Sequence, residues 1–327
     1  MFVGRFAQRT FGSAKKATCA YFNVHAKRYL NASTATQASG NNTKLLLGAL
    51  AASGGAAAFY AYFQAGPKQL SNDEKVKMIM DLKAKVPNNI AIQTFDLDYY
   101  KSLSPDLQTR FLKCLDSGRE NPDSHMGCYA NNPDDYETFK PFFKKALEVY
   151  HKVDLSKQKH VNDWNFAGVA GLPSSGVLDL SKLGLPPLSM RVRTGRNLNR
   201  FPLPASMTKE DRINLELEMG KVFDQLIADP NFGGRYVSIT PGHKDYIDPK
   251  EYQQLVDANI MFKDMSADPY LNAAGISSDW PHGRGCYMSA DKGFNIWVGE
   301  EDHLRIMCMQ KGVLLNKVFD RLKAAVD

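Results

Sequence analysis

Three arginines and one acidic segment are the groups of this chain whose types and spacing suggest chemistry. Residues 189–198 alternate like a strand, and within them Arg191 and Arg193 stand two positions apart in SMRVRTGR (189–196), so both guanidinium groups should leave the same sheet face. Like charges on one face repel, and a polyanion such as a phosphate chain that binds between them would offset this repulsion. The alternative is a solvated polar strand face, and the spacing alone leaves both open.

A second pair of strands carries the acidic segment. Residues 294–298 and 304–308 are predicted to be strands joined by a turn that holds Glu300, Glu301 and Asp302. Arg305 follows this turn and alternates with apolar neighbours. It could therefore join Arg191 and Arg193 in binding a polyanion. Three carboxylates in one turn would hold a cation, either a guanidinium or a metal ion, although such turns more often face only solvent.

The composition excludes several classes of protein. The net charge of +6 over 327 residues comes from the N-terminal end, because the first acidic residue is Asp73, so the body is not a nucleic-acid-coating protein. The five cysteines are scattered without C-x-x-C spacing, which argues against a disulfide framework or a zinc cluster. Walker, G-x-G-x-x-G, H-E-x-x-H and G-x-S-x-G motifs are missing from the sequence. Any ligand is therefore expected to bind through side chains.

The N-terminal end is typical of a targeting sequence. Residues 1–44 are basic, free of acids and rich in Ser, Thr and Ala, which predicts a mitochondrial presequence. Residues 45–67 are uncharged and long enough to cross a bilayer weakly. The pair predicts a location in the inner mitochondrial membrane or the intermembrane space. A longer cleaved leader or an Ala-rich linker is the alternative for the second segment.

The rest of the chain predicts an α+β protein. Residues 68–153 have helical periodicity, with a helix over 134–153, and are predicted to form a small all-α domain. Residues 154–186 are rich in Gly, Pro and Ser and are predicted to be a linker. Residues 187–327 are predicted to form a partial antiparallel-sheet domain flanked by helices. Its further elements are a helix after Thr208 to about Ala228, a strand over 236–240, a helix over 249–260 and a last helix over 314–326.

Four stretches resemble the phosphagen kinases, the ATP:guanidino phosphotransferases. They occur in family order as CYANNPDDYETFKPFF (128–143), PLSMRVRTGRNLNRFPLP (187–204), SSDWPHGRG (277–285) and IWVGEEDHLRIMCMQKG (296–312). ENPDSHMGCYA (120–130) is more similar to arginine kinases than to creatine kinases. The basic leader is similar to that of mitochondrial members of the family.

The resemblance implies roles for individual residues. Glu301 would orient the substrate guanidinium, and is the expected catalytic residue. A second set would bind ATP or ADP, whose phosphates carry Mg²⁺ without protein ligands to the metal: Ser189, Arg191, Arg193, Arg305 and Asn259, which stands where the family has His. A third set would wrap the α-carboxylate of L-arginine with backbone N–H groups: Ser124, His125, Met126, Gly127 and Tyr129.

Family members continue beyond the position that matches Asp327, so we expect a C-terminally shortened member. Two functions follow. The first is a phosphotransferase that moves the γ-phosphoryl of MgATP reversibly to a guanidino compound, with L-arginine expected, and whose sequence here is either an incomplete chain or is completed by another segment. The second is a catalytically degenerate structural subunit with an inner-membrane partner. No nucleic-acid partner is expected.

Overall fold

The computed structural model describes residues 70–165, 170–172, 177, 179–184, 189–312 and 314–326. The predicted presequence and the apolar run over 45–67 lie outside these ranges, as does part of the predicted linker. No helix within the described ranges is long and apolar enough to cross a membrane.

The first part of the described chain is helical, as expected. Its helices are α1 (Asn72–Lys83), α2 (Ile90–Thr94), α3 (Leu97–Ser102), α4 (Pro105–Cys114), α5 (Asp116–Glu120), α6 (Asp135–Thr138) and α7 (Lys140–His151). They enclose an aromatic core in which Phe111 contacts Phe139 and Phe142, with ring centroids 5.2 and 5.1 Å apart. This core fixes the segments that lead into and out of residues 124–129.

The second part is an antiparallel sheet with helices. In chain order it contains a 3₁₀ turn (Leu180–Leu183), β1 (Ser189–Arg196), a 3₁₀ turn (Pro204–Ser206), α8 (Lys209–Ala228), β2 (Arg235–Ser238), α9 (Pro249–Asp257), α10 (Pro269–Ala274), β3 (Gly285–Met288), β4 (Phe294–Val298), β5 (Leu304–Lys311) and α11 (Leu315–Val326). The strand order is β1-β5-β4-β3-β2. A five-stranded sheet beside a helical part confirms the α+β prediction.

The two faces of the sheet carry different residues. On one face, α8 and α11 cover apolar residues that include Phe294, Ile296 and Ile306. On the other, residues 247–265 cover Trp297 and Met307. This second face is the one that continues toward the arginines of β1.

Several elements differ from the predictions. The helix over 134–153 is two helices, because Phe139 leaves the αR region between α6 and α7. The helix predicted to end at 260 ends at Asp257, and the strand predicted over 236–240 spans Arg235–Ser238. Strand β3 was missed, since all four of its residues are buried and it has no alternation to detect. The capping box of α8, from Thr208 to Asp211, is as predicted.

Candidate active site

The three arginines lie on one face of the sheet. In the pairing of β1 with β5, Gly195 is opposite Arg305 and Arg193 is opposite Met307. Directly opposed residues of antiparallel strands point to the same side, so Arg191, Arg193 and Arg305 share the face of Met307. Ser189 shares it by the same alternation. The same-face prediction is thus confirmed by the register.

The arginines differ in their surroundings. Arg191 and Arg193 are exposed, and within the described residues neither has an ion pair or a hydrogen bond through its side chain. Arg305 is half-buried, with its guanidinium carbon 5.8 Å from the ring centroid of Trp297. It pairs with two carboxylates, at 2.9 Å from Glu300 and 3.2 Å from Glu301.

Glu301 bridges two parts of the fold. Its Oε2 accepts from Arg305, and its Oε1 accepts from the Tyr129 hydroxyl at 3.2 Å. Burial, reinforced by the charge of Glu301, raises the pKa of Tyr129, so this hydroxyl stays a donor. The pKa of Glu300 is also raised, and burial of its carboxylate is the largest cause.

A buried histidine pins the acidic turn to the loop after β1. The His303 backbone N–H donates to Asn197 Oδ1 at 2.8 Å, and Asn197 Nδ2 donates to Asp302 at 3.0 Å. The ring Nδ1 of His303 accepts from the Leu198 N–H at 3.0 Å, while Nε2 lies 2.8 Å from the Pro202 carbonyl. A carbonyl only accepts, so the proton sits on Nε2 and the ring is neutral. Burial lowers the pKa of His303, in keeping with that state.

Gly195 leaves room for the Asp302 side chain where the turn meets β1. A Cβ at this position would collide with the Asp302 carboxylate, which lies directly over the glycine. The sequence motif contained Gly195, Asn197 and His303, but their positioning roles depend on contacts between strands distant in sequence. Only the structure shows them.

The loop over residues 124–129 is held by its carbonyl groups. Three backbone N–H groups from α2 and α5 donate to it: Ile90 to His125 at 2.9 Å, Ala91 to Met126 at 3.0 Å and Gly118 to Gly127 at 2.8 Å. Gly127 has φ of +70°, and a Cβ there would come within 2.7 Å of Asn89 Oδ1. Glycine is therefore needed for both conformation and space.

Four of the six N–H groups of the same loop are free within the described part of the chain. Ser124 donates to Asn121 and Tyr129 to Cys114, but among the described residues the four backbone N–H groups between them have no acceptor. These belong to His125, Met126, Gly127 and Cys128. Gly127 is buried, and a buried N–H without an acceptor is costly, so the loop presents donors prepared for an anion. Burial raises the pKa of the Cys128 thiol to about 12, which disfavours the thiolate form.

The loop and the acidic turn line one cavity. Its volume is about 150 Å³, and its lining includes Met126, Cys128 and Tyr129 of the loop together with Glu301 and Asp302 of the turn. Phe143, Ala146 and Leu147 of α7 form part of the apolar wall. The structure thus brings the candidate carboxylate loop and the candidate guanidinium ligand together. It gives no hydrogen bond or ion pair between the Asn259 side chain and the site arginines, and Asn259 is an exposed residue with φ of +56° after α9.

Two family models match the chain. Residues 97–148 match the ATP:guanido phosphotransferase N-terminal domain, and residues 216–327 match its C-terminal catalytic domain. An arginine kinase of Penaeus vannamei (Lit v 2.0101) is 32% identical over 254 residues, which cover 78% of this chain and 67% of that protein.

The chain belongs to the ATP:guanido phosphotransferase family.

Further relatives agree with this membership. An arginine kinase of Anthopleura japonica is 37% identical over 214 residues, 65% of this chain and 28% of that protein. An arginine kinase of Amphioctopus fangsiao (Oct f 2) is 35% identical over 230 residues, 70% of this chain and 62% of that protein. The chain therefore spans less than two thirds of the length of these two relatives.

Solved structures show the same fold. The duplicated taurocyamine kinase from Schistosoma mansoni, with bound transition state analog components, has a TM-score of 0.64 and 28% identity, covering 79% of this chain and 34% of that one. A lombricine kinase has a TM-score of 0.57 at 23% identity, covering 73% of this chain and 62% of that one, and supports the fold alone.

Proposed function

We propose that the protein transfers the γ-phosphoryl group of MgATP reversibly to a guanidino compound, and that the compound is L-arginine. The observation that carries the proposal is the shared cavity, which is lined both by Glu301 and by the loop with free N–H groups. A molecule with a guanidinium at one end and a carboxylate at the other would satisfy both groups. The arginine kinase relatives, at 32% to 37% identity, support the same substrate.

Glu301 would hold the substrate guanidinium by accepting its N–H groups. In the transfer, the bond from the γ-phosphorus to the bridging oxygen breaks, a phosphorus–nitrogen bond forms, and the attacking nitrogen loses a proton. The Glu301 carboxylate is placed to keep that nitrogen oriented and to receive the proton. Phosphoryl transfer depends mainly on such positioning and on neutralising charge.

The sheet face that carries Arg191 and Arg193 of β1 fits a nucleotide polyphosphate. Arg191 and Arg193 are two cations without carboxylate partners in the described part of the chain, and a phosphate chain would neutralise both. Ser189 adds a hydroxyl on the same face, and we keep Asn259 as a proposed contact on the nucleotide side. In the described residues no cluster of three or more His, Cys, Asp or Glu side chains is arranged for a metal ion. Mg²⁺ bound through the phosphates would screen their charge.

The test is ³¹P NMR of the full chain with MgATP and either L-arginine or creatine. The proposal predicts a phosphorus–nitrogen product signal that forms faster with L-arginine. Glu301→Gln loses a charge-assisted hydrogen bond of about 1.5–3 kcal/mol, so the rate should fall by about ten- to hundredfold.

Glu251→Gln is the matched control, because this carboxylate pairs with Arg235 at the opposite sheet edge and should leave the rate unchanged. Equal rates with creatine would refute the substrate. A product signal that survives Glu301→Gln undiminished would refute the site.

For the location, we propose the inner mitochondrial membrane or the intermembrane space, supported by the basic, acid-free composition of residues 1–44 and by the uncharged run over residues 45–67. The alternative of a structural subunit with a membrane partner has no support from the relatives, which are named as kinases.

A further inference from the structure

The carboxylate proposed for the substrate guanidinium already holds a guanidinium of the protein. Arg305 Nη2 lies 3.2 Å from Glu301 Oε2, and the Tyr129 hydroxyl takes the other oxygen at 3.2 Å. Both oxygens of Glu301 are therefore engaged by internal donors. An incoming guanidinium that binds both oxygens as a bidentate pair competes with these donors for the same carboxylate.

Arg305 is the donor that can leave at low cost. It keeps a second carboxylate, Glu300, at 2.9 Å, and a contact with the face of Trp297, so giving up Glu301 does not leave its charge unpaired. The Glu301 side chain is 41% exposed, so its pair with Arg305 is of the weaker, solvent-screened kind.

A polyanion bound on the sheet face that carries the β1 arginines would attract Arg305 away from Glu301. Arg305 lies on the same face as Arg191 and Arg193, opposite Gly195 in the register. A phosphate chain bound by the two exposed arginines would attract the third guanidinium and so compete with Glu301 for it.

We propose that Arg305 is an internal competitor for the substrate site, which occupies Glu301 until a polyphosphate draws it away. The identity of the two ligands rests on the function proposed above. Polyphosphate and guanidino compound then strengthen each other's binding, by one factor in both directions because linkage is reciprocal. Freeing Glu301 from a pair of this kind, and removing a like charge, should improve guanidinium binding by about three- to tenfold.

Calorimetry of the full chain tests the competition, because the proposal fixes the direction in which the affinity for L-arginine changes. L-arginine should bind wild type about three- to tenfold more tightly when tripolyphosphate is present. Arg305→Ala should bind L-arginine more tightly than wild type without tripolyphosphate, and tripolyphosphate should add nothing. Glu300→Gln should act oppositely, since Arg305 then depends on Glu301 alone. A purely structural Arg305 would give weaker binding in Arg305→Ala, which would overturn the proposal.

Arg235→Ala is the matched control, because it removes an arginine paired with Glu251 on the far edge strand and should change neither ligand's affinity.

A second measurement separates this proposal from the choice of substrate. The Nε–H resonance of Arg305 in ¹⁵N-arginine-labelled wild type, assigned by its loss in Arg305→Lys, should shift on titration with tripolyphosphate alone. If L-arginine binds no variant but this resonance shifts, the proposed substrate is wrong and the displacement of Arg305 stands. A resonance that does not move under saturating tripolyphosphate overturns the displacement.

Discussion

Replacing Asn295 by leucine should make the protein more stable. Asn295 lies on β4, fully buried, between Met288 of β3 and Met307 of β5. Within the described residues neither Oδ1 nor Nδ2 of its amide has a hydrogen-bond partner. Most of the buried residues around this sheet face are apolar.

The magnitude follows from the two unpaired groups. A buried donor or acceptor without a partner costs about 1–3 kcal/mol, so the two together cost about 2–6 kcal/mol. Leucine branches at Cγ like asparagine but is larger, and the extra volume in a packed core costs about 1–3 kcal/mol. We expect Asn295→Leu to raise the free energy of unfolding by about 2 kcal/mol, and the melting temperature by about 4–8 °C for a folded unit of this size.

Asn89→Leu is the control of opposite sign. Asn89 is also buried, but its Nδ2 donates to Gly118 at 2.9 Å and its Oδ1 accepts from the Ile92 N–H at 3.2 Å. The same substitution should therefore destabilise by about 2 kcal/mol or more. Thermal and urea unfolding of the three chains decide the matter. A lower melting temperature for Asn295→Leu would refute the reasoning.

Three further outcomes are expected. Gly127→Ala should lower stability by about 1–3 kcal/mol in urea unfolding and weaken L-arginine binding, because of its positive φ and the collision with Asn89; unchanged values would remove the loop's special role. Burial lowers the pKa of His303, so below about pH 6.5 the unfolded chain gains a proton that the folded chain resists, and stability falls as pH drops. Urea unfolding at pH 7 and pH 5 should show a smaller loss in His303→Asn than in wild type, and equal losses would contradict the assignment. A tagged chain should fractionate with mitochondria and become protease-sensitive once the outer membrane is opened. Recovery in the cytosol would contradict the mitochondrial presequence predicted for residues 1–44.

Sequence patterns predicted those elements whose periodicity is local. The alternation of residues 189–196 gave β1 with both arginines on one face, and the capping box at Thr208 placed the start of α8. Strand β3 was invisible because burial on both faces removes the alternation.

The site was predictable as a set of residues but not as an arrangement. The motifs pointed to Glu301, Arg305 and the loop over 124–129. Glu301 pairs with Arg305 of its own hairpin and with Tyr129, which lies 172 positions away, and no local pattern encodes the second contact. The same holds for His303, whose buried contacts come from the loop after β1.

The central claim is that one molecule bridges Glu301 and the free N–H groups of residues 125–128. Calorimetric comparison of L-arginine with agmatine, which has the guanidinium but lacks the carboxylate, tests it most directly on the full chain. The carboxylate's hydrogen bonds to two or more N–H groups should make L-arginine bind about ten- to hundredfold more tightly. Equal affinities for the two compounds would contradict the account.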